Sequence, residues 1–278
     1  MERPARSLFP SERVDASLCW RHMRGVGPGL ANLGNTCFLN STLQCLSYTA
    51  PLANLCTERA HSRQCTRKGF CTYCALEAHV CEVHDSEKPR SLVEPRALVS
   101  HVRAVGRHFR AGRQEDAHEY FVCLVDALQA AALRASGGGG GGNSGGNGCG
   151  NGGASGGLAE TTEVRQIFGG QLRSQVVCSA CAYASTAYEP FVDLPLELRA
   201  SSSVGRALRR FSAPEALVGD NQYRCAACAT LVDATKRLLV HATPRVLVLQ
   251  LKRFGARRDG TGKIAKHVAF DETLDLAP

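Results

Sequence analysis

The chain has 278 residues and a formal charge of +8. That length supports one large domain or two modest ones around a substantial apolar core, and the excess of Lys and Arg fits a solvated basic face. No run approaches the roughly 18 apolar residues that a membrane span requires. The opening MERPARSLFPSERVDASLCW also lacks the apolar centre of a secretory signal. No membrane role is expected, and the location that follows is the cytoplasm, the nucleus or both. In those compartments the 14 cysteines read as metal ligands, a nucleophile and small buried residues rather than as a disulfide framework.

Residues 1–28 are polar, basic and without periodic pattern, which predicts a disordered leader. The turn-rich Gly29–Thr36 then opens a helix that Asn35 or Thr36 can cap. Phe38, Leu39, Leu43 and Leu46 recur at helical spacing, and Pro51 follows the helix end. Residues 61–74 are cysteine-rich and read as irregular. A second helix is predicted from about Gln114 to Leu133, with Ala117, Tyr120, Phe121, Leu124, Val125 and Leu128 on one apolar stripe. Residues 135–157 are nearly all Gly, Asn, Ser and Ala. They predict a flexible surface insertion about 25 Å across as a random coil, with Cys149 as an exposed thiol in it. From residue 158 the pattern turns to strands: Gln171–Val177, then Tyr188–Leu198 interrupted by Pro195. A short helix over Val204–Arg210 follows. The apolar run Arg245–Phe254 reads as a strand buried on both faces.

Cys37 sits between Gly34-Asn35-Thr36 and an amphipathic helix. A thiol there meets the positive end of the helix dipole and unpaired N–H groups, which favour the nucleophilic thiolate. An amide a few residues earlier can reach the negative oxygen of a tetrahedral intermediate; Asn32 is placed for this, and Asn35 is the alternative. For an isolated cysteine, a small residue packing a helix start is the commoner reading.

The string Gly29-Leu30-Ala31-Asn32-Leu33-Gly34-Asn35-Thr36-Cys37-Phe38-Leu39-Asn40-Ser41-Thr42-Leu43-Gln44-Cys45-Leu46 resembles the cysteine box of the ubiquitin-specific proteases nearly position for position. Gln114-Glu115-Asp116-Ala117-His118-Glu119-Tyr120 resembles that family's acidic helix start. Leu251–Phe254 resembles its core strand, and Lys266–Phe270 the strand after it. The resemblance implies an α+β, papain-like fold of thumb, palm and fingers: a helical thumb over 29–134 and a β-rich palm with fingers over 158–278, truncated in the palm. It implies Cys37 as the thiol that attacks the isopeptide carbonyl and Asn32 as the oxyanion donor. Ubiquitin and ubiquitinated proteins are the implied partners. Ubiquitin ends in a basic segment and two glycines, and the resemblance makes Gln114, Asp116, His118 and Glu119 candidates to meet that tail. Asp116 and Glu119 are also placed for plain helix capping, and His118 belongs to this contact motif rather than to catalysis.

Cys178-x-x-Cys181 and Cys225-x-x-Cys228 form two knuckles that fit tetrahedral zinc, across a gap that intervening strands must fold back to close. His61, Cys65, Cys71 and Cys74 have spacing that permits a second structural site, with a loop of free thiols as the alternative. His79, Cys81 and His84 lie near enough to compete as ligands. Four protein ligands leave no open position, so zinc is expected to be structural and no catalytic cofactor is expected. A cysteine protease also needs a base and a group that orients it. The family carries both after the strand resembling Lys266–Phe270, in a Gly-His-Tyr segment and a later Asp or Asn, and His267 lies in a different motif. The expectation is therefore a chain that ends before its base, inactive or nearly so by itself, and the alternative function is that of a non-catalytic ubiquitin-binding remnant. Nucleic acid is not expected as a partner, because no aromatic residues interleave the basic ones.

Overall fold

The computed structural model describes residues 7–22, 25–137, 157–255 and 262–276. It divides into two compact units, Met1–Ile167 and Phe168–Pro278. The expected boundary fell in the glycine-rich tract, but residues 157–167 belong to the first unit. Gln129 Nε2 donates to the Ala159 carbonyl at 2.7 Å, and the Phe9 N–H donates to Thr161 O at 3.1 Å. Residues 138–156 of the expected linker, Cys149 among them, lie outside the described residues.

The first unit is helical. Its elements in order are α1 (Ser11–Asp15), β1 (Gly29–Leu30), α2 (Cys37–Ser47), α3 (Ala50–Thr57), α4 (Thr72–Val83), β2 (Leu92–Val93), α5 (Arg96–Ser100), α6 (Val102–Val105), α7 (Ala117–Ala135) and α8 (Glu163–Phe168), which carries the unit boundary. α2 packs on α7, and α4 packs on both α3 and α7. The predicted inner face of α2 is buried at Phe38, Leu39, Leu43 and Leu46. The predicted stripe of α7 is buried from Tyr120 to Leu128, each large apolar side chain contributing about 1.5–3 kcal/mol by leaving water. The α7 helix starts three residues later than expected because Asp116 is its N-cap. Pro51 opens α3 instead of merely following α2, since a proline in the first turn forfeits no helical hydrogen bond.

Two expectations for this unit are corrected. Residues 7–22 are not a loose leader. Phe9 and Val14 are buried, and the buried Asn54 donates to the carbonyls of Ser17 at 2.9 Å and Cys19 at 2.8 Å. Arg13 and Arg21 both pair with Glu58. Two isolated apolar anchors leave no periodic trace, so this segment read as featureless. The cysteine-rich stretch is not irregular throughout either, because α4 begins at Thr72 and buries Tyr73, Leu76, Val80 and Val83.

The second unit is built on an antiparallel sheet of order β4-β3-β9-β6, formed by β3 (Gly170–Cys178), β4 (Ala184–Phe191), β6 (Glu215–Leu217) and β9 (Ala234–Ala242). β5 (Leu194–Glu197) pairs in parallel with β10 (Leu249–Lys252), the helix α9 (Val204–Phe211) packs on β5, and β7 (Tyr223–Arg224) pairs with β8 (Leu231–Val232). β11 (Phe254–Gly255) and β12 (Gly262–Lys263) form a final pair. The Val204–Arg210 helix is as predicted, with Ser203 Oγ accepting from the Arg206 N–H. The Tyr188–Leu198 strand splits into β4 and β5, which join different sheets. The Arg245–Phe254 run is a four-residue strand, half-buried, not a long one covered on both faces, because β10 has one neighbour among the described residues. Lys266–Phe270 is no strand: it contributes a single bridge, Ala269 to Ser203, with Val268 buried beneath it. Among the described residues no helix is long and apolar enough to cross a membrane.

Candidate active site and metal-ligand clusters

Cys37 is the first residue of α2 and its thiol is exposed. The turn before it is organised by Asn32. Its Oδ1 accepts the N–H groups of Gly34 and Thr36, both at 3.1 Å, and the Thr36 hydroxyl at 3.3 Å. Thr36 occupies the N-cap position, yet its oxygen closes the turn by accepting the Leu33 N–H at 3.1 Å instead of capping the helix. Asn40, one turn into α2, donates to Ala31 O at 2.9 Å and so pins the strand end to the helix. The two candidate amides are thereby separated. Asn35 donates its Nδ2 to Gly112 O at 2.7 Å, whereas the carbonyl end of Asn32 is saturated and its donor end is the one left to serve an anion.

The acidic motif sits at the start of α7. Asp116 Oδ1 accepts the N–H groups of His118 at 2.7 Å and Glu119 at 3.0 Å, so the capping reading of Asp116 is realised. Gln114, Asp116 and Glu119 are exposed and His118 is half-buried. Glu119 faces His108, whose Nε2 lies 3.1 Å from its Oε1. Beside His108, the buried Phe109 ring packs between Phe38, at 6.0 Å, and Tyr120, at 5.6 Å. Phe38 follows the nucleophile candidate and Tyr120 follows Glu119, so one aromatic cluster underlies both.

Both predicted ligand sets are assembled, and in each the four ligand atoms lie within 4.8 Å of one another. Metal–sulfur bonds of about 2.3 Å put the sulfurs of a tetrahedral site roughly 3.8 Å apart. The Cys178–Cys228 and Cys181–Cys225 sulfurs stand at 3.9 and 3.7 Å. β3 delivers the first knuckle, and the turn between β7 and β8 delivers the second. In the first unit His61 Nε2 is 3.3 Å from Cys71 Sγ, the His61 ring stacks on Tyr73 at 4.5 Å, and Cys74 projects from the first turn of α4. The buried Glu77 carboxylate, three residues on, accepts the N–H groups of His61 at 2.7 Å and Ser62 at 2.8 Å. The competing residues stand apart from this group: His84 is engaged with Ser47 O at 2.7 Å, Cys81 with Cys56 O, and His79 lies outside the cluster.

The thiols in each cluster push one another apart. The backbone N–H of Cys181 helps bring the Cys178 thiol down to about 7, while the side chain of Cys181, with burial, raises Cys228 to about 12. Burial alone would raise Cys71, but the His61 ring and the N–H groups of Cys74 and Tyr73 outweigh it and leave that thiol lowered. Burial raises Cys74, and its neighbours Cys65 and Cys71 raise it further. Sulfurs in contact, four in one cluster and three beside His61 in the other, cannot all ionise without a cation among them, so each cluster can hold a metal ion, and the soft donor sets fit zinc.

A family model described as "Ubiquitin carboxyl-terminal hydrolase" matches residues 28–278. The chain belongs to that family. The human ubiquitin carboxyl-terminal hydrolase 42 is 42% identical over 275 residues, covering 99% of this chain and 19% of that protein. The human ubiquitin carboxyl-terminal hydrolase 17-like protein 5 is 38% identical over 99% of this chain and 47% of its own length. Among solved structures, the SAGA Ubp8/Sgf11/Sus1/Sgf73 DUB module bound to ubiquitin aldehyde superposes with a TM-score of 0.71 and 27% identity, over 90% of this chain and 52% of that one. The chain thus spans about half the length of the solved relative and less of the two human ones. Its mixed helix and sheet architecture is that of a ubiquitin-specific deubiquitinase domain.

Within this domain the sequence motifs marked the turn before α2, the acidic start of α7 and both groups of candidate ligands that the structure brings together. His108, Phe109, Glu77 and Asn54 were missed. Each acts across a gap of more than ten residues, and no local motif marks it.

Proposed function

We propose that this domain cleaves ubiquitin from protein conjugates by thiol chemistry, with Cys37 attacking the carbonyl of ubiquitin's last glycine. The observation that carries this reading is the nucleophile turn: an exposed thiol at a helix start, beside an Asn32 amide whose acceptor end is fully occupied by the turn. Attack forms a sulfur–carbon bond and places negative charge on the former carbonyl oxygen. The Asn32 Nδ2 donor and the N–H groups at the start of α2 are the groups that stabilise that charge. Collapse expels the lysine amine, and water then hydrolyses the thioester. A base must take the thiol proton and return it to the amine, so turnover reports a group that labelling alone does not require.

Gln114, Asp116, His118 and Glu119 serve as the contact for ubiquitin's basic tail, and ubiquitin and its conjugates are the partners. The solved relative is described as bound to ubiquitin aldehyde, which supports this choice. The first compact unit acts as the thumb and the second, from Phe168, as palm and fingers. Cys178, Cys181, Cys225 and Cys228, and separately His61, Cys65, Cys71 and Cys74, each hold a structural zinc, which supplies folding free energy and no chemistry. The protein works in the cytoplasm, the nucleus or both.

The test is reaction with ubiquitin carrying a C-terminal electrophile, followed by peptide mapping, with hydrolysis of a ubiquitin conjugate measured in parallel. Labelling at Cys37, abolished by Cys37→Ala, is the expected result. Tight ubiquitin binding with neither labelling nor turnover would establish the non-catalytic binding reading instead.

A further inference from the structure

We infer that Asn35 is a positioning residue, which latches the nucleophile turn to the loop that leads into the tail-contact motif and so fixes the thiol relative to the bound tail. The inference rests on Cys37 being the nucleophile. Asn35 holds a left-handed backbone, φ 54°, directly after Gly34 at φ 98°. Two successive residues of that kind turn the side chain out of the loop, and asparagine tolerates the conformation better than other residues bearing a Cβ. The amide thus reaches Gly112 O at 2.7 Å, across 77 residues of sequence. Gly112 is itself left-handed, φ 79°, and stands two residues before Gln114.

The loop that Asn35 grips touches both halves of the proposed site. On the nucleophile side, Phe109 packs against Phe38, the neighbour of Cys37. On the tail side, Phe109 packs against Tyr120 and His108 pairs with Glu119. A shift of this loop therefore moves the tail contact relative to the thiol, and misplacement of about 1 Å is enough to cost an enzyme large factors in rate. The aromatic contacts belong to the core, and removing them would unfold the region. The Asn35 bond is exposed, so its loss isolates alignment from stability.

Asn35→Gly keeps the left-handed backbone without strain and removes the donor. Asn35→Asp keeps the shape but sets an acceptor against the Gly112 carbonyl. Each variant is reacted with the ubiquitin electrophile over a range of concentrations, separating the saturating rate from the half-saturating concentration. Reaction of Cys37 with iodoacetamide and the thermal midpoint serve as controls. The expected result is a saturating rate lower by about tenfold for Asn35→Gly and by more for Asn35→Asp, with half-saturation and iodoacetamide reactivity within about twofold of the parent. A saturating rate within about twofold of the parent in both variants overturns the latch and leaves the nucleophile assignment intact. So does a parallel loss of iodoacetamide reactivity and thermal stability, which would make Asn35 merely structural. A parent chain that takes no label at Cys37 overturns the nucleophile reading, and the latch falls with it.

Discussion

His79 offers a measurable pH dependence in the first unit. It is buried on α4, and among the described residues neither ring nitrogen has a hydrogen-bond partner. Burial, with a smaller contribution from the nearby His84, lowers it from 6.5 to about 4. The unfolded chain therefore takes up a proton near pH 6.5 that the folded chain refuses until about pH 4. Stability from this residue is complete above pH 6.5 and is lost as the pH falls through that window. At ~1.4 kcal/mol per pH unit, the loss amounts to about 3 kcal/mol. Replacing His79 by Leu removes the titration and also two unpaired buried nitrogens, so the variant should match or exceed the parent at pH 7. Denaturant unfolding at pH 7, 6, 5 and 4 measures both curves, and other titrating groups, among them the buried Glu163, cancel in the difference. Parallel curves for parent and His79→Leu would refute the reasoning.

Other consequences are open to direct measurement. Metal analysis of the purified chain should find zinc. Replacing Cys178 and Cys225 together by Ser should remove one equivalent and loosen the end of β3 and the β7–β8 pair, and full zinc retention would exclude that site. Asn54→Ala should cost about 2–3 kcal/mol, because two carbonyls of the N-terminal segment lose their donor in a buried setting. Faster proteolysis around residues 7–22 would accompany it, and an unchanged unfolding midpoint would show that the segment docks by other means. Asn32→Ala should slow labelling by the ubiquitin electrophile by about 100-fold while leaving ubiquitin binding intact, as expected of an oxyanion donor, and equal loss of binding would argue for a role in the turn alone.

The helices were legible wherever one apolar face recurs over several turns, as in α2 and α7. The strands were legible in kind but not in extent. Arg245–Phe254 is rich in Val and Leu, and hydropathy alone cannot say that, among the described residues, Leu249–Lys252 pair with β5, more than fifty positions earlier, while Phe254 pairs with β12. The N-terminal segment failed for a related reason: its apolar anchors are one buried valine and one phenylalanine, and its polar partners Asn54, Glu58 and Thr161 lie far along the chain. Pairing and docking are long-range properties, and a one-dimensional period does not record them.

At the site, the legible residues are those whose chemistry is compressed into a short string. In the proposed mechanism Asn32 and Cys37 stand five apart because one turn presents both to the same carbonyl, and Cys-x-x-Cys recurs because a metal knuckle needs two thiols on one bend. What the string could not assign was the division of labour between two asparagines three residues apart. Both have donors, both flank the nucleophile turn, and both were open as oxyanion ligands. The deciding fact lies at Gly112, whose carbonyl engages Asn35, while the turn itself engages the acceptor end of Asn32. An amide can be aimed at a developing charge only when the rest of its hydrogen bonds fix its orientation. In the proposed mechanism the turn therefore does more than present Cys37: by saturating the acceptor end of Asn32 it leaves the donor end to face the substrate.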